Sequence, residues 1–368
     1  MSWSTSKSTR RTFLAASGLG ALSLGALAAC GGSAAPGGVT SSSAAAAGPS
    51  SVTPGTYGTL SLQLSWIKNI EFAGEYFADS KGYYKAGGFE SVDLVTGPVD
   101  SADALVVAGT VDVGVSAPDA TARLIAEQGA PLKIIGATFQ KNPFCILSLE
   151  EGKPIRTVAD LAGKTIGIQA GTNQAIFEGF CKANKIDTST FKTTVVQYEP
   201  TPLTEKKVDG FMAFVTNEPF IVKKDGFTPV TLTFADNGLP LASETFVVTQ
   251  QTLEGDRDKL KAFLTAEIKG WNDAVADPAA GAKLAAETYG KGLGLDVKGQ
   301  TEQLEAQLKL VVSEDTKANG LFTLTEDFQS KIVAAIAALG TEIAAADLFD
   351  MSLLSEIYAA DPSLVVKG

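Results

Sequence analysis

The sequence predicts an α/β fold: two successive strand–helix units, closed by a helical C-terminal region. Three observations carry this. From Leu60, short apolar runs alternate with longer amphipathic ones, the pattern of strands with covering helices. The same alternation starts again at Phe144. From Leu253 onward the short runs stop and only helical spacing continues.

In the first unit, TLSLQLSW (59–66) alternates polar and apolar and reads as a strand. FAGEYFADSKGYYKAGG (72–88) carries Phe72, Tyr76, Phe77, Tyr83 and Tyr84 before a glycine stop and reads as a helix. A strand at 91–97, a helix at 101–111 with Ser101 as N-cap, a strand at 112–118, a helix at 119–128 and a strand at 132–139 follow. This β-α-β-α-β-α-β run predicts a mostly parallel sheet. In the second unit, strands are predicted at 144–150, 165–170, 193–198, 211–216, 229–234 and 243–250, with helices from about Asn173, ahead of 211 and from Glu218. The C-terminal region opens with RDKLKAFLTAEIKGWNDAVAD, whose apolar stripe runs through Leu260, Phe263, Leu264, Ile268, Trp271 and Val275. Trp271 therefore belongs to the core. Further helices are predicted at about 278–289, 301–312, 325–339 and 351–359.

The first 29 residues are of another kind. Lys7, Arg10 and Arg11 precede Phe13–Ala29, an apolar run of 17 residues built from Ala, Leu, Gly and Ser with one Phe. It is shorter than the about 20 residues a membrane span needs. A basic start, a short apolar stretch and a small-residue end describe a secretory signal peptide, here 1–29. STRRTFL resembles the twin-arginine export signal, and LAAC resembles the bacterial lipobox. Cleavage before Cys30 leaves a thiol for a diacylglycerol, whose burial at about 0.8 kcal/mol per CH₂ anchors a protein to a membrane. Residues 30–57 are small, polar and uncharged, and predict a flexible tether.

The leader holds three basic residues and no acid, so its removal leaves 27 Lys and Arg against 41 Asp and Glu, a net −14. That argues against nucleic acid, which needs a basic footprint. With no histidine, the commonest general base and metal ligand is missing. Cys145 and Cys181 lack CxxC spacing, which argues against zinc, and read as small buried hydrophobes rather than as a disulfide. No GxSxG, P-loop or HExxH occurs, and no carboxylate pair is marked as catalytic. No catalytic residue, metal or cofactor is expected.

In open α/β sheets ligands bind beyond the carboxyl ends of strands, and clefts between domains are favoured. The loops that qualify are 66–72, 116–120, 140–144, 169–174, 197–202 and 215–220. They supply flat faces from Trp66, Phe72 and Tyr198, and polar groups from Asn69, Glu71, Ser116, Asp119, Asn142, Asn173, Asn217 and Glu218. A planar polar ligand would stack on Trp66 and bond to Asn69, Asn217 and Glu218. Gly171, Thr172 and Asn173 before a helix offer free N–H groups, although the same residues make an ordinary cap. Glu71, Asp119 and Glu218 have a similar alternative as first-turn acids at the positive end of a helix dipole. Lys68 and Lys141 are the only basic residues of these loops, which ranks sulfonate or nitrate lower as ligand.

At LSWIKNIEFAGEYFADSKGYYKAGGF the chain resembles the solute-binding proteins of ABC importers for thiamine-pyrimidine precursors, through Trp66, Asn69, Gly74, Tyr76, Lys81, Gly82 and Tyr83. GTVDVGVSAPD, VADLAGKTIGIQAGT and VDGFMAFVTNEP are similar to further blocks of the same SsuA/THI5-like group, which also binds nitrate, taurine, aliphatic sulfonates and riboflavin. Phe72 stands where the pyrimidine binders carry histidine, which leaves a flavin or another larger ring open. Asn217 and Glu218 resemble a ligand-contacting pair of those binders. The resemblance implies a type II periplasmic-binding-protein fold. One lobe would comprise 58–142 and 246–368, the other 143–245, with crossovers near Lys141–Asn142 and Ser243–Glu244. It implies a monomeric, lipid-anchored protein outside the cell membrane, working with an ABC permease and its ATPase. A pyrimidine synthase of this fold and a sensor lipoprotein are the rival readings, and the synthase would need a histidine that this chain lacks.

Overall fold

The computed structural model describes residues 53–170 and 172–366, so the leader, Cys30, most of the tether and Gly171 lie outside the described residues. Ten strands form two five-stranded sheets. The first holds β1 (Thr59–Gln63), β2 (Ser91–Val95), β3 (Val113–Ser116), β4 (Leu132–Phe139) and β10 (Ser243–Thr249), in the order β2-β1-β3-β10-β4. The second holds β5 (Phe144–Leu149), β6 (Thr165–Ile168), β7 (Lys192–Val195), β8 (Gly210–Phe214) and β9 (Pro229–Thr233), in the order β7-β6-β8-β5-β9. The chain crosses to the second sheet between Phe139 and Phe144 and returns between Thr233 and Ser243.

The two sheets share one plan: each is mostly parallel, as expected, with a single antiparallel strand inserted. β1 pairs parallel with β2 and β3, but β10 lies between β3 and β4 and runs antiparallel to both. In the second sheet β6 pairs parallel with β7 and β8, and β5 runs antiparallel between β8 and β9. The antiparallel strand of each sheet is the one that has just arrived from the other. It has no crossover helix of its own and can therefore enter against the grain. β4 and β5 are buried along nearly their whole length, which explains their unbroken apolar sequence.

Several elements are shorter than their sequence pattern. The 72–88 segment is a 3₁₀ turn (Ile70–Phe72), a helix (Ala73–Ser80) and a single helical turn (Tyr83–Ala86), interrupted where Gly82 takes φ +72°. The strand predicted to 97 ends at Val95 and the one predicted to 198 ends at Val195. Ser101 caps its helix as predicted, accepting from Ala104 N–H at 3.1 Å, but that helix closes at Val107. The helices Arg257–Ala276, Val297–Val311, Glu326–Leu339 and Ser352–Ala360 make the helical C-terminal region. Helix Glu326–Leu339 packs on Pro118–Gln128 beside the first sheet and also on Thr172–Ala183 beside the second. Cys145 and Cys181 are both buried and unpaired.

Helices Ala73–Ser80 and Arg257–Ala276 cross at a distance only glycine allows. A Cβ on Gly270 would stand 2.0 Å from the Gly74 carbonyl, and one on Gly74 would stand 2.0 Å from the Trp271 ring. Trp271 is fully buried there, with Glu75 and Glu267 beside it. Tyr84 Oη donates to Glu267 Oε1 at 2.5 Å, while Glu75 Oε2 and Glu267 Oε2 have no hydrogen-bond partner. Burial pushes both carboxyls up, that of Glu75 further through the charge of Glu267, and Glu267 reaches about 8. A carboxyl whose pKa is higher folded than unfolded contributes stability that is full below the unfolded value, about 4.3 for Glu. That contribution is lost as pH rises toward about 8. Glu267→Gln keeps the acceptor for Tyr84 and removes the charge. The fall in Tm between pH 5 and pH 8 should therefore be smaller in Glu267→Gln than in the parent; an equal fall would show that Glu267 does not titrate in this range.

Candidate functional site

Residues of both sheets line one cavity of about 270 Å³. Its first-sheet side is made by Ser65 and Trp66 after β1, Pro98–Asp103, and Val115–Ala117 at the end of β3. Its second-sheet side is made by Phe144, by Gln169 and Asn173 around the end of β6, by Tyr198 after β7, and by Met212–Phe214, Asn217 and Glu218. Ser243 and Glu244 reach it from the returning strand β10. The carboxyl ends of the parallel strands thus meet at the cavity, as open α/β sheets require.

Aromatic rings frame it. Trp66 of the first lobe and Tyr198 of the second touch edge to face, centroids 4.6 Å apart at 75°. Phe144 and Phe214 make a second such contact at 4.6 Å and 90°. The polar groups between them are held by the protein. Gln169 donates to the Met212 carbonyl at 3.1 Å and accepts from Asn173 Nδ2 at 2.8 Å. Glu218 opens helix Glu218–Lys224, accepting from Phe214 N–H at 2.8 Å and from Asn217 Nδ2 at 3.3 Å. Asp103 accepts from Thr121 Oγ1 at 2.6 Å and from Ser116 Oγ. Ser65 Oγ donates to Glu244 Oε2 at 2.6 Å and stands 3.4 Å from Glu71 Oε1.

The site is acidic. Among the described residues, Glu71, Asp100, Asp103, Glu218 and Glu244 line the cavity and no lysine or arginine does. Burial, and then the charge of Glu244, hold the Glu71 carboxyl well above the ordinary range. Burial raises Glu218 and Glu244 to about 7 each, against the opposing effect of their hydrogen bonds. Glu244 also sits in left-handed backbone at φ +51° within β10, a conformation that costs a non-glycine residue about 1–3 kcal/mol.

Of the residues singled out in the sequence, Trp66, Glu71, Ser116, Asn173, Tyr198, Asn217 and Glu218 come together at this cavity. Four others do not line it. Asn69 is buried as the cap of the 3₁₀ turn, accepting from Glu71 N–H at 3.0 Å, and its carbonyl accepts from Tyr76 Oη at 2.8 Å. Phe72 points into the apolar core. Asp119 is buried in the first turn of its helix, 3.6 Å from Arg123, where burial lifts it to about 6. Asn142 shapes the crossover, accepting from Phe144 N–H at 2.9 Å. Thr172 begins the helix Thr172–Ala183. Of the two basic loop residues, Lys68 and Lys141, neither lines the cavity, and Lys141 pairs with Asp236 at 2.6 Å.

Sequence reading missed Ser65, Asp103, Gln169, Phe214 and Glu244. Gln169 and Phe144 sit at the edges of loops already singled out, and Glu244 sits on a predicted crossover. A crossover that passes the cleft was the signal that could have marked it.

A stripe of buried glutamines on helix Val297–Val311 ties the two sides of the site together. Gln300 Oε1 accepts from Ile70 N–H at 2.8 Å and its Nε2 donates to Gln303 Oε1 at 2.6 Å. Gln303 Nε2 donates to Asn217 Oδ1 at 3.2 Å, and Gln307 Nε2 donates to the Glu71 carbonyl at 2.8 Å. Exposed pairs Lys223–Glu302 (3.3 Å) and Lys224–Asp296 (2.8 Å) flank the stripe.

The NMT1/THI5-like family profile matches residues 69–281, more than half of the chain. The chain belongs to the NMT1/THI5-like family. The riboflavin-binding protein RibY of Chloroflexus aurantiacus is 26% identical over 293 residues, 77% of this chain and 83% of that protein. Two solved structures share the fold. The periplasmic nitrate-binding protein NrtA of Synechocystis superposes with TM-score 0.59 at 14% identity, covering 85% of this chain and 91% of that one. The periplasmic aliphatic sulphonate-binding protein SsuA of Escherichia coli superposes with TM-score 0.58 at 15% identity, covering 76% and 85%. The fold is that of the periplasmic binding proteins, with two α/β lobes and a helical C-terminal region.

The glutamine stripe gives a direct test of how the lobes are held. Gln303→Ala strips a partner from the buried Gln300 and another from the half-buried Asn217, and an orphaned buried polar group costs about 1–3 kcal/mol. Its urea midpoint should fall by that amount, whereas Lys223→Ala, which breaks only an exposed pair, should leave the midpoint nearly unchanged. Equal effects would remove the stripe from the account.

Proposed function

We propose that this chain is an extracytoplasmic substrate-binding lipoprotein that takes a small planar nitrogen heterocycle between its lobes and delivers it to an ABC importer. The observation that carries this is the meeting of Trp66 and Tyr198 across the cleft, beside the amides of Asn173, Gln169 and Asn217. Flat faces with amide and carboxylate edges suit a ring that bonds in its own plane. The volume of about 270 Å³ lies just under the range for drug-sized ligands, about 300–1,000 Å³. That favours a one- or two-ring compound, such as a pyrimidine precursor of thiamine, over a flavin. The riboflavin binder among the relatives supports a heterocycle.

The second reading is a sulfonate, taurine or nitrate, on the strength of the fold shared with NrtA and SsuA. The cavity argues against it, since an anion would face five carboxylates and no cation. An enzymatic role is the third reading, and a general base such as histidine is missing from the chain. In this account the lobes are 58–142 with 246–368, and 143–245, hinged where the chain crosses at Asn142 and Ser243–Glu244. Ligand favours the closed form by binding it better, and the closed form docks on the permease. Cys30 carries the lipid and the tether gives reach. Among the described residues no helix is long and apolar enough to cross a membrane.

A thermal-shift panel of aminopyrimidines, thiamine, riboflavin, taurine, an alkanesulfonate and nitrate tests this. A ligand at 100 times its Kd stabilises by about 2.7 kcal/mol, and large domains rise by roughly 2–4 °C per kcal/mol. The account expects a rise of that order with an aminopyrimidine, lost in Trp66→Ala. A rise with the sulfonate or nitrate alone would establish the second reading instead.

A further inference from the structure

We propose that the ligand enters this cleft as an organic cation, and that Glu71, Glu218 and Glu244 are the residues that read its charge. The proposal deepens the heterocycle reading and rests on it. All three carboxylates line the cavity, all three are more than nine-tenths buried, and none belongs to an ion pair.

Their hydrogen bonding makes the case beyond simple acidity. Asp103 is satisfied by two hydroxyls and serves the fold. Glu71 and Glu244 instead hydrogen-bond to each other, carboxyl to carboxyl. Ser65 has a single hydroxyl hydrogen, given to Glu244 at 2.6 Å, which leaves Glu71 at 3.4 Å with a weak contact. Among the described residues no backbone N–H and no lysine or arginine reaches either side chain. With no ligand bound, such a buried pair must share a proton, and only a ligand that brings charge and hydrogens together can replace it. An ammonium or amidinium group does both. Glu218, from the opposite lobe, is close enough for its charge to act on Glu71. A cation between them is therefore attracted to both lobes, which turns binding into closure.

The chemistry is organic rather than metallic. Among the described residues no three Asp, Glu or Cys side chains converge as ligands for one ion. The titratable groups around the trio do not neutralise it. Glu75 faces Glu244, Tyr76 faces Glu71, and Glu199 and Cys145 face Glu218; all are acids. Arg123 stands 3.6 Å from Asp119, and its charge acts on Asp103.

Two probes of matched shape test the proposal by titration calorimetry on the full chain: an aminomethyl-aminopyrimidine, cationic near neutral pH, and its hydroxymethyl counterpart, which is neutral. The cation should bind at least tenfold tighter. Its affinity should weaken from about pH 8 to about pH 6, because Glu218 and Glu244 gain protons near 7 and lose their charge. Glu244→Gln and Glu71→Gln, which keep shape and acceptor, should each remove most of the preference while the neutral probe binds as before. Equal or tighter binding of the neutral probe overturns the charge reading and leaves the heterocycle reading standing. A preference unchanged in both variants overturns the assignment of these residues. Binding of neither probe overturns both readings together.

Discussion

A cluster of buried carboxyls with no basic residue beside it in the described cavity wall is the constraint on which the rest of this structure depends. Glu71, Glu218 and Glu244 are taken out of water at the junction of two lobes, where the charges of Glu244 and Glu218 raise the cost of ionising Glu71. The fold invests in keeping them there. Glu218 is held by the Phe214 amide and by Asn217, Glu244 is forced into left-handed backbone, and Glu71 has its own carbonyl tied down by Gln307. Side chains held this firmly form a preorganised site, and on the proposal of a cationic ligand the balancing charge arrives with it.

The topology makes such a junction natural. Each sheet lends the other a strand, and both exchanges pass the cleft: Phe144 begins the outgoing strand, and Ser243 and Glu244 begin the returning one. A residue at the start of such a strand belongs to the crossover and to the cavity at once. The helix Val297–Val311 adds a second connection, with Gln303 bonded to Asn217 of one lobe while Gln300 and Gln307 hold the backbone of residues 70–71 in the other. Glu244 of the returning crossover is linked to this assembly through Ser65 and Glu71.

Much of this was legible in the sequence. Alternating runs give the strands, and the long stripe through Leu260 and Trp271 gives the main C-terminal helix, because burial leaves a period in the sequence. Trp66, Tyr198, Asn217 and Glu218 could be picked out because they follow strands. The order of the strands was not legible: nothing in a strand's composition says that β10 will lie between β3 and β4. Glu244 escaped for that reason, and so did Asp103, which sits inside a helix and reaches the site only through three-dimensional packing. Asn69 and Phe72 misled for the opposite reason. They stand in the right loop, but the local 3₁₀ turn spends one on capping and the other on the core.

The most direct test of the account is to ask the protein what it carries. Native mass spectrometry of the full chain, purified without denaturation from cells that make it, would give the mass of a bound compound; its fragmentation after release would give the chemical class. The account predicts a small aromatic nitrogen compound with a basic group. A sulfonate or another anion held in stoichiometric amount would contradict it, because that ligand would sit among carboxylates with no cation in the cavity wall to meet it.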